Sequence, residues 1–127
     1  MWPQILADKQ LEFLKEEIEA RISADKLYQV SDNERTIGDS YLKLGNASLS
    51  KGDISEAHNN YVQAFGWFQT SFRTAVAEGA GSDILDAIYG RIVNTQDKLL
   101  NLDGIDSREK SMAPKIVYAF EQILAVN

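Results

Sequence analysis

The chain reads as an all-helical protein, an antiparallel bundle of about five helices. Three observations predict this. No proline stands between Pro3 and Pro114, so a long stretch carries no residue that stops a helix. Apolar residues recur at steps of three and four through most of that stretch. Short polar segments interrupt the pattern where one helix must end and the next begin.

The first helix is predicted from about Pro3 to about Tyr28, with Pro3 in the first turn. Leu11, Leu14, Ile18 and Ile22 build its apolar stripe, and Glu16, Glu17 and Glu19 fall on the other faces as a solvated acidic cluster. Ser31-Asp32-Asn33-Glu34 breaks the chain, and Ser31 or Asp32 is expected to cap the second helix, with Glu34 completing a capping box. That helix runs to about Ser50. Ile37, Tyr41, Leu44 and Ser48 form its stripe, flanked by Leu42, Gly45 and Leu49. A glycine inside a helix costs about 1 kcal/mol relative to alanine, so Gly45 marks the close approach of a neighbouring helix.

Lys51-Gly52-Asp53 is a tight turn: Gly52 suits the left-handed end of one helix, and Asp53 suits the cap of the next. The third helix spans about Ile54 to Glu78. Its stripe Ala57, Tyr61, Phe65, Phe68, Phe72 and Val76 is aromatic and continuous, which predicts the centre of the core. Gly79-Ala80-Gly81-Ser82-Asp83 leads into a fourth helix ending near Asn101, with Ile84, Leu85, Ile88, Ile92, Leu99 and Leu102 apolar. After the Asp103-Gly104 turn, Asp106-Ser107-Arg108-Glu109 reads as another capping box. Ile116, Val117, Phe120, Ile123 and Leu124 then form the buried face of a last segment.

At 127 residues the chain fits one domain, 1–127. It has no cysteine, which excludes disulfides and thiolate metal sites. The net charge of −6 leaves no basic face, so nucleic acid is not an expected partner. No apolar run approaches the roughly 20 residues of a membrane span, and the N-terminus lacks a secretory pattern, so a cytoplasmic protein is expected.

The segment Asp39 to Trp67 resembles a tetratricopeptide repeat. The match consists of Tyr41-Leu42-Lys43-Leu44-Gly45-Asn46-Ala47, Lys51-Gly52-Asp53, Glu56-Ala57 and Tyr61-Val62-Gln63-Ala64, about 30 of the 127 residues. The third helix runs past the point where the repeat closes on a proline. With that overlong helix, Ala47 to Leu102 resembles the microtubule-interacting-and-trafficking domain, a three-helix relative. Both resemblances imply a protein-binding module that holds short peptide helices or tails in an interhelical groove. Asn46 stands where carboxylate-clamping repeats carry an asparagine; Leu42 stands where they carry a lysine.

Catalytic patterns are missing. His58 is the only histidine, it lies among polar residues, and no nucleophile pairs with it by spacing. Gly45-Asn46-Ala47-Ser48-Leu49-Ser50-Lys51 lacks the glycine that a phosphate loop carries before its lysine. The expectation is therefore no enzyme, no cofactor and no metal. The expected function is an interaction module or adaptor that binds a peptide or helix of another protein. Leu42, Asn46, Leu49, Trp67 and Arg73 are the candidate contacts, because they lie off the main core stripe. The alternative is a small acidic inhibitor or immunity-type protein that blocks one dedicated partner, and steep salt dependence of the complex would distinguish it. Phe13, Trp2 and Tyr28 widen the apolar face of the first helix, which points to a homodimer through that helix.

Overall fold

A computed structural model describes residues 2–102, with side chains from Ile5 onward. The described residues form four helices and no strand: α1 Trp2–Leu27, α2 Ser31–Ser50, α3 Ile54–Ala77 and α4 Ser82–Leu100. Each lies within a residue or two of its sequence-based bounds. The helix expected after Asp106 lies outside the described residues, as do Ile116, Val117, Phe120, Ile123 and Leu124.

The turns follow from local chemistry. Gly52 and Gly79 adopt φ of 79° and 75°, the left-handed region that a side chain would strain. Asp53 accepts a hydrogen bond from the Glu56 N–H at 3.1 Å and so caps α3 as expected.

The start of α2 departs from the expected capping box. Val30 is its cap residue and supplies no side-chain bond. Glu78, at the end of α3, accepts instead from the Ser31 N–H at 3.0 Å and from the Ser31 hydroxyl at 2.5 Å. A carboxylate at a helix N-terminus satisfies free N–H groups and opposes the helix dipole favourably, whichever element carries it. Asp32 turns to Arg35 at 2.6 Å, and Glu34 is buried.

α2 and α3 form the central antiparallel hairpin. Ser71 donates to the Ser31 carbonyl at 2.8 Å at one end, and Asn60 donates to the Ser48 hydroxyl at 3.3 Å near the other. Small residues let the helices approach. A Cβ on Gly45 would stand 2.5 Å from the Tyr61 ring, and one on Gly38 would stand 2.6 Å from the Phe68 ring. Tyr61, Phe65, Phe68 and Phe72 are buried as the stripe predicted, together with Leu85, Ile88, Ile92 and Leu99 of α4. Val76, the last residue of the predicted stripe, is exposed; in the last turn of α3 the buried position is Ala75, one step round the helix from it.

α4 packs on α3, and α1 packs on α2. The α1 seam is a second, smaller cluster. Ile18 of α1 is buried with Ile37 and Leu44, while Leu11, Leu14, Ile22, Tyr41 and Trp67 pack around them half-buried. No described helix is long and apolar enough to cross a membrane.

Candidate functional site

α2 and α4 both lie antiparallel to α3, so they run parallel to each other on neighbouring flanks of it. The Asp39–Arg91 contact fixes this register: Arg91 Nε of α4 donates to Asp39 Oδ1 of α2 at 2.9 Å. A groove runs between the two helices. Its α2 wall carries Arg35, Asp39, Leu42, Asn46 and Leu49, which recur at steps of four, three, four and three and so share one helix face. Its α4 wall carries Ile84, Ala87, Arg91 and Lys98.

Near the helix N-termini the groove widens to a cleft of about 400 Å³ between Asp32 and Arg35 on one side and Ile84 and Ala87 on the other. Near the C-termini it opens again to about 240 Å³ between Leu49 and Lys98, over Tyr61 and Leu102. Leu49 is 43% exposed at one end and Ile84 is 49% exposed at the other. Burying each of these side chains would contribute on the order of 1 kcal/mol or more.

Charge in the groove is internally matched. Arg35 reaches Asp32 at 2.6 Å and Asp39 at 3.4 Å, and Asp39 also accepts from Arg91. Each of these groups except Asp32 is about one-third exposed, so a ligand can reach them from the groove side. Partly exposed ion pairs of this kind add little to stability.

Asn46 is exposed, and its Oδ1 accepts from the Tyr61 hydroxyl at 2.7 Å. Burial pushes the Tyr61 phenol above its ordinary range, so it stays a neutral donor, and the bond holds the Asn46 amide at the groove rim.

Of the candidates, Leu49 lines the cleft near the C-termini; Leu42 and Asn46 share its helix face, Leu42 half-buried against the core and Asn46 exposed. The structure places Trp67 elsewhere: that side chain is half-buried in the α1–α2 seam beside Ile18, Ile37 and Leu44. Arg73 is exposed at the end of α3 beside Gln29, Thr74 and Glu78. The stripe Leu11, Leu14, Ile18 and Ile22 is turned onto α2 within the chain, and Phe13 and Tyr28 stay exposed.

Sequence reasoning missed Arg35, Asp39, Ile84 and Ala87 as groove residues. The signal was present in the spacing of Arg35, Asp39, Leu42, Asn46 and Leu49, but it becomes a site only when α4 is known to lie alongside. Among the described residues no cluster of three or more His, Asp or Glu is arranged to hold a metal ion. The chain matches no protein-family model, no curated protein and no solved structure.

Proposed function

We propose that the chain is a protein–protein interaction module that takes a short helix or peptide of another protein in the groove between α2 and α4. One observation carries this reading: two parallel helices on the same side of α3 leave exposed Leu49 and Ile84 at either end of a groove crossed by the Asp39–Arg91 pair. The groove follows α2 for most of its 20 residues, about 25–30 Å at 1.5 Å per residue. That accommodates a partner helix of about 15 residues or an extended segment about half as long. Apolar side chains of the partner meet Leu42, Leu49, Ile84 and Ala87, and its polar groups meet Arg91 and the Asn46 amide. The resemblance of Asp39 to Trp67 to a tetratricopeptide repeat, and of Ala47 to Leu102 to the microtubule-interacting-and-trafficking domain, supports the same class of function. Trp67 and Arg73 fall outside this narrower site.

The test uses helical peptides selected by display against the full chain. Leu49→Asp and Ala87→Asp should each weaken the selected peptides at least tenfold, about 1.4 kcal/mol. Val62→Asp, on the exposed outer face of α3, should leave binding unchanged. Binding that survives both groove substitutions would place the site elsewhere.

A further inference from the structure

α1 is held by one seam. Its contacts to the body run mainly through α2, by way of Ile18 and its half-buried neighbours with Trp67 of α3 among them, two hydrogen bonds between Arg21 and Asn33, and the exposed Lys51–Asp8 pair at 3.5 Å. At the end of this seam nearest the α1–α2 turn, two acids are sealed in. Asp25 of α1 is 7% exposed and Glu34 of α2 is 0% exposed. Asp25 Oδ1 and both Glu34 carboxyl oxygens are buried without a hydrogen-bond partner of ordinary length.

The surroundings offer the pair no counter-charge. On α1, Arg21 stands one turn before Asp25 and its guanidinium is taken by Glu17 and Asn33, and Lys26 follows Asp25 in the last turn without forming an ion pair with either acid. From α2 the neighbour is Asn33, bonded back to the Arg21 carbonyl. From α3 come the Thr74 hydroxyl and the Glu78 carboxylate, and Glu78 is committed to Ser31. No described cation forms an ion pair with either acid. Two carboxylates in a dry interface repel each other and have lost their water, which is a costly arrangement. Adding one proton to the pair supplies the missing donor and removes the repulsion.

We propose that Asp25 and Glu34 form a proton-operated latch on α1. With a proton between them, the two carboxyls hold α1 against the hairpin. Losing that proton loosens α1 and uncovers the apolar face of Ile37, Leu44 and Trp67 beneath it. Burial pushes Glu34 up from 4.5 to about 7; the Thr74 hydroxyl pulls the other way, and the neighbouring Asp25 and Glu78 carboxyls add to the rise, so the latch works near neutrality. A lone buried acid would disturb only its own packing. Here the pair spans the seam along which α1 packs on α2, so the same proton bears on the whole helix. The device is independent of the α2–α4 groove, which lies on the other side of α2.

Amide hydrogen exchange of the full chain between pH 5.5 and 8.5 tests it, read as protection factors so that the intrinsic pH dependence of exchange cancels. With Glu34 near 7 when α1 is docked and at its ordinary 4.5 when α1 is released, α1 protection should fall about thirtyfold over that range. Protection in α3 should fall less. The Glu34→Gln variant should flatten the α1 response. Unchanged α1 protection in the wild type, or an equal fall in the Gln variant, overturns the latch. Carboxyl-carbon NMR of the wild type gives a second check that needs no variant. The Glu34 titration midpoint and the midpoint of the α1 response must coincide, and midpoints more than about a unit apart also overturn it.

Discussion

Two glycines in helix interiors show how a residue's cost depends on its neighbour. Gly45 faces the ring of Tyr61, which is fully buried and tied by its hydroxyl to Asn46, so the ring has nowhere to move. Gly66 of α3 has open space where a Cβ would go. Gly66→Ala should therefore stabilise the protein by about 0.5–1 kcal/mol, the ordinary gain of alanine over glycine in a helix. Gly45→Ala should destabilise it by about 1–3 kcal/mol, because overpacking outweighs the same gain. Urea midpoints of the two variants check both signs. Glu34 gives a further prediction at this scale. Its folded value, about 7, lies above the ordinary 4.5, so the folded state holds the proton more tightly than the unfolded state. The stability that goes with the proton is fully present below pH 4.5 and is lost as pH rises through 7. At pH 8.5 Glu34→Gln should thus be more stable than wild type by on the order of 2–3 kcal/mol, and at pH 4.5 the difference should nearly vanish. Denaturation at the two pH values measures it.

At the scale of the element, helix bounds were legible because each rests on local chemistry: the apolar period, Gly52, Asp53 and Gly79. The cap of α2 was not. Ser31 and Glu34 have the spacing of a capping box, but Glu78 lies 47 residues from Ser31 in sequence and takes the role through tertiary folding. Freed from capping, Glu34 enters the interior, which no local pattern announces. The groove was half legible. The α2 face with Leu42, Asn46 and Leu49 follows from helical spacing, whereas its partner wall depends on α4 lying parallel beside it. The α1–α2 connection is where the elements are joined most weakly. Leu27 and Tyr28 are about three-quarters exposed there, and α1 packs mainly on α2. Limited chymotrypsin should cut first at Leu27 or Tyr28 and leave α2 to α4 intact for longer. A first cut at Phe65, Phe68 or Phe72 would contradict the described core.

For the whole molecule, the described helices present an acidic exterior, a face under α1 with an open cleft of about 570 Å³ beside it, and the groove between α2 and α4. A homodimer through α1 stays a proposal with little area behind it. α2 covers the Leu11–Ile22 stripe, which leaves Ile5, Leu6 and the 66% exposed Phe13 to bury. Light scattering at tens of micromolar decides it: a mass of twice 14.2 kDa supports the dimer, and 14.2 kDa removes it. The central claim, that a partner segment lies between α2 and α4, is tested most directly by mapping amide shifts of the labelled chain during titration with a display-selected helical peptide. The account predicts shifts concentrated at Arg35, Leu42, Leu49, Ala87, Arg91 and Lys98, with Val62 and Gln63 unmoved. Shifts confined to the outer face of α3, or to α1 alone, would contradict it.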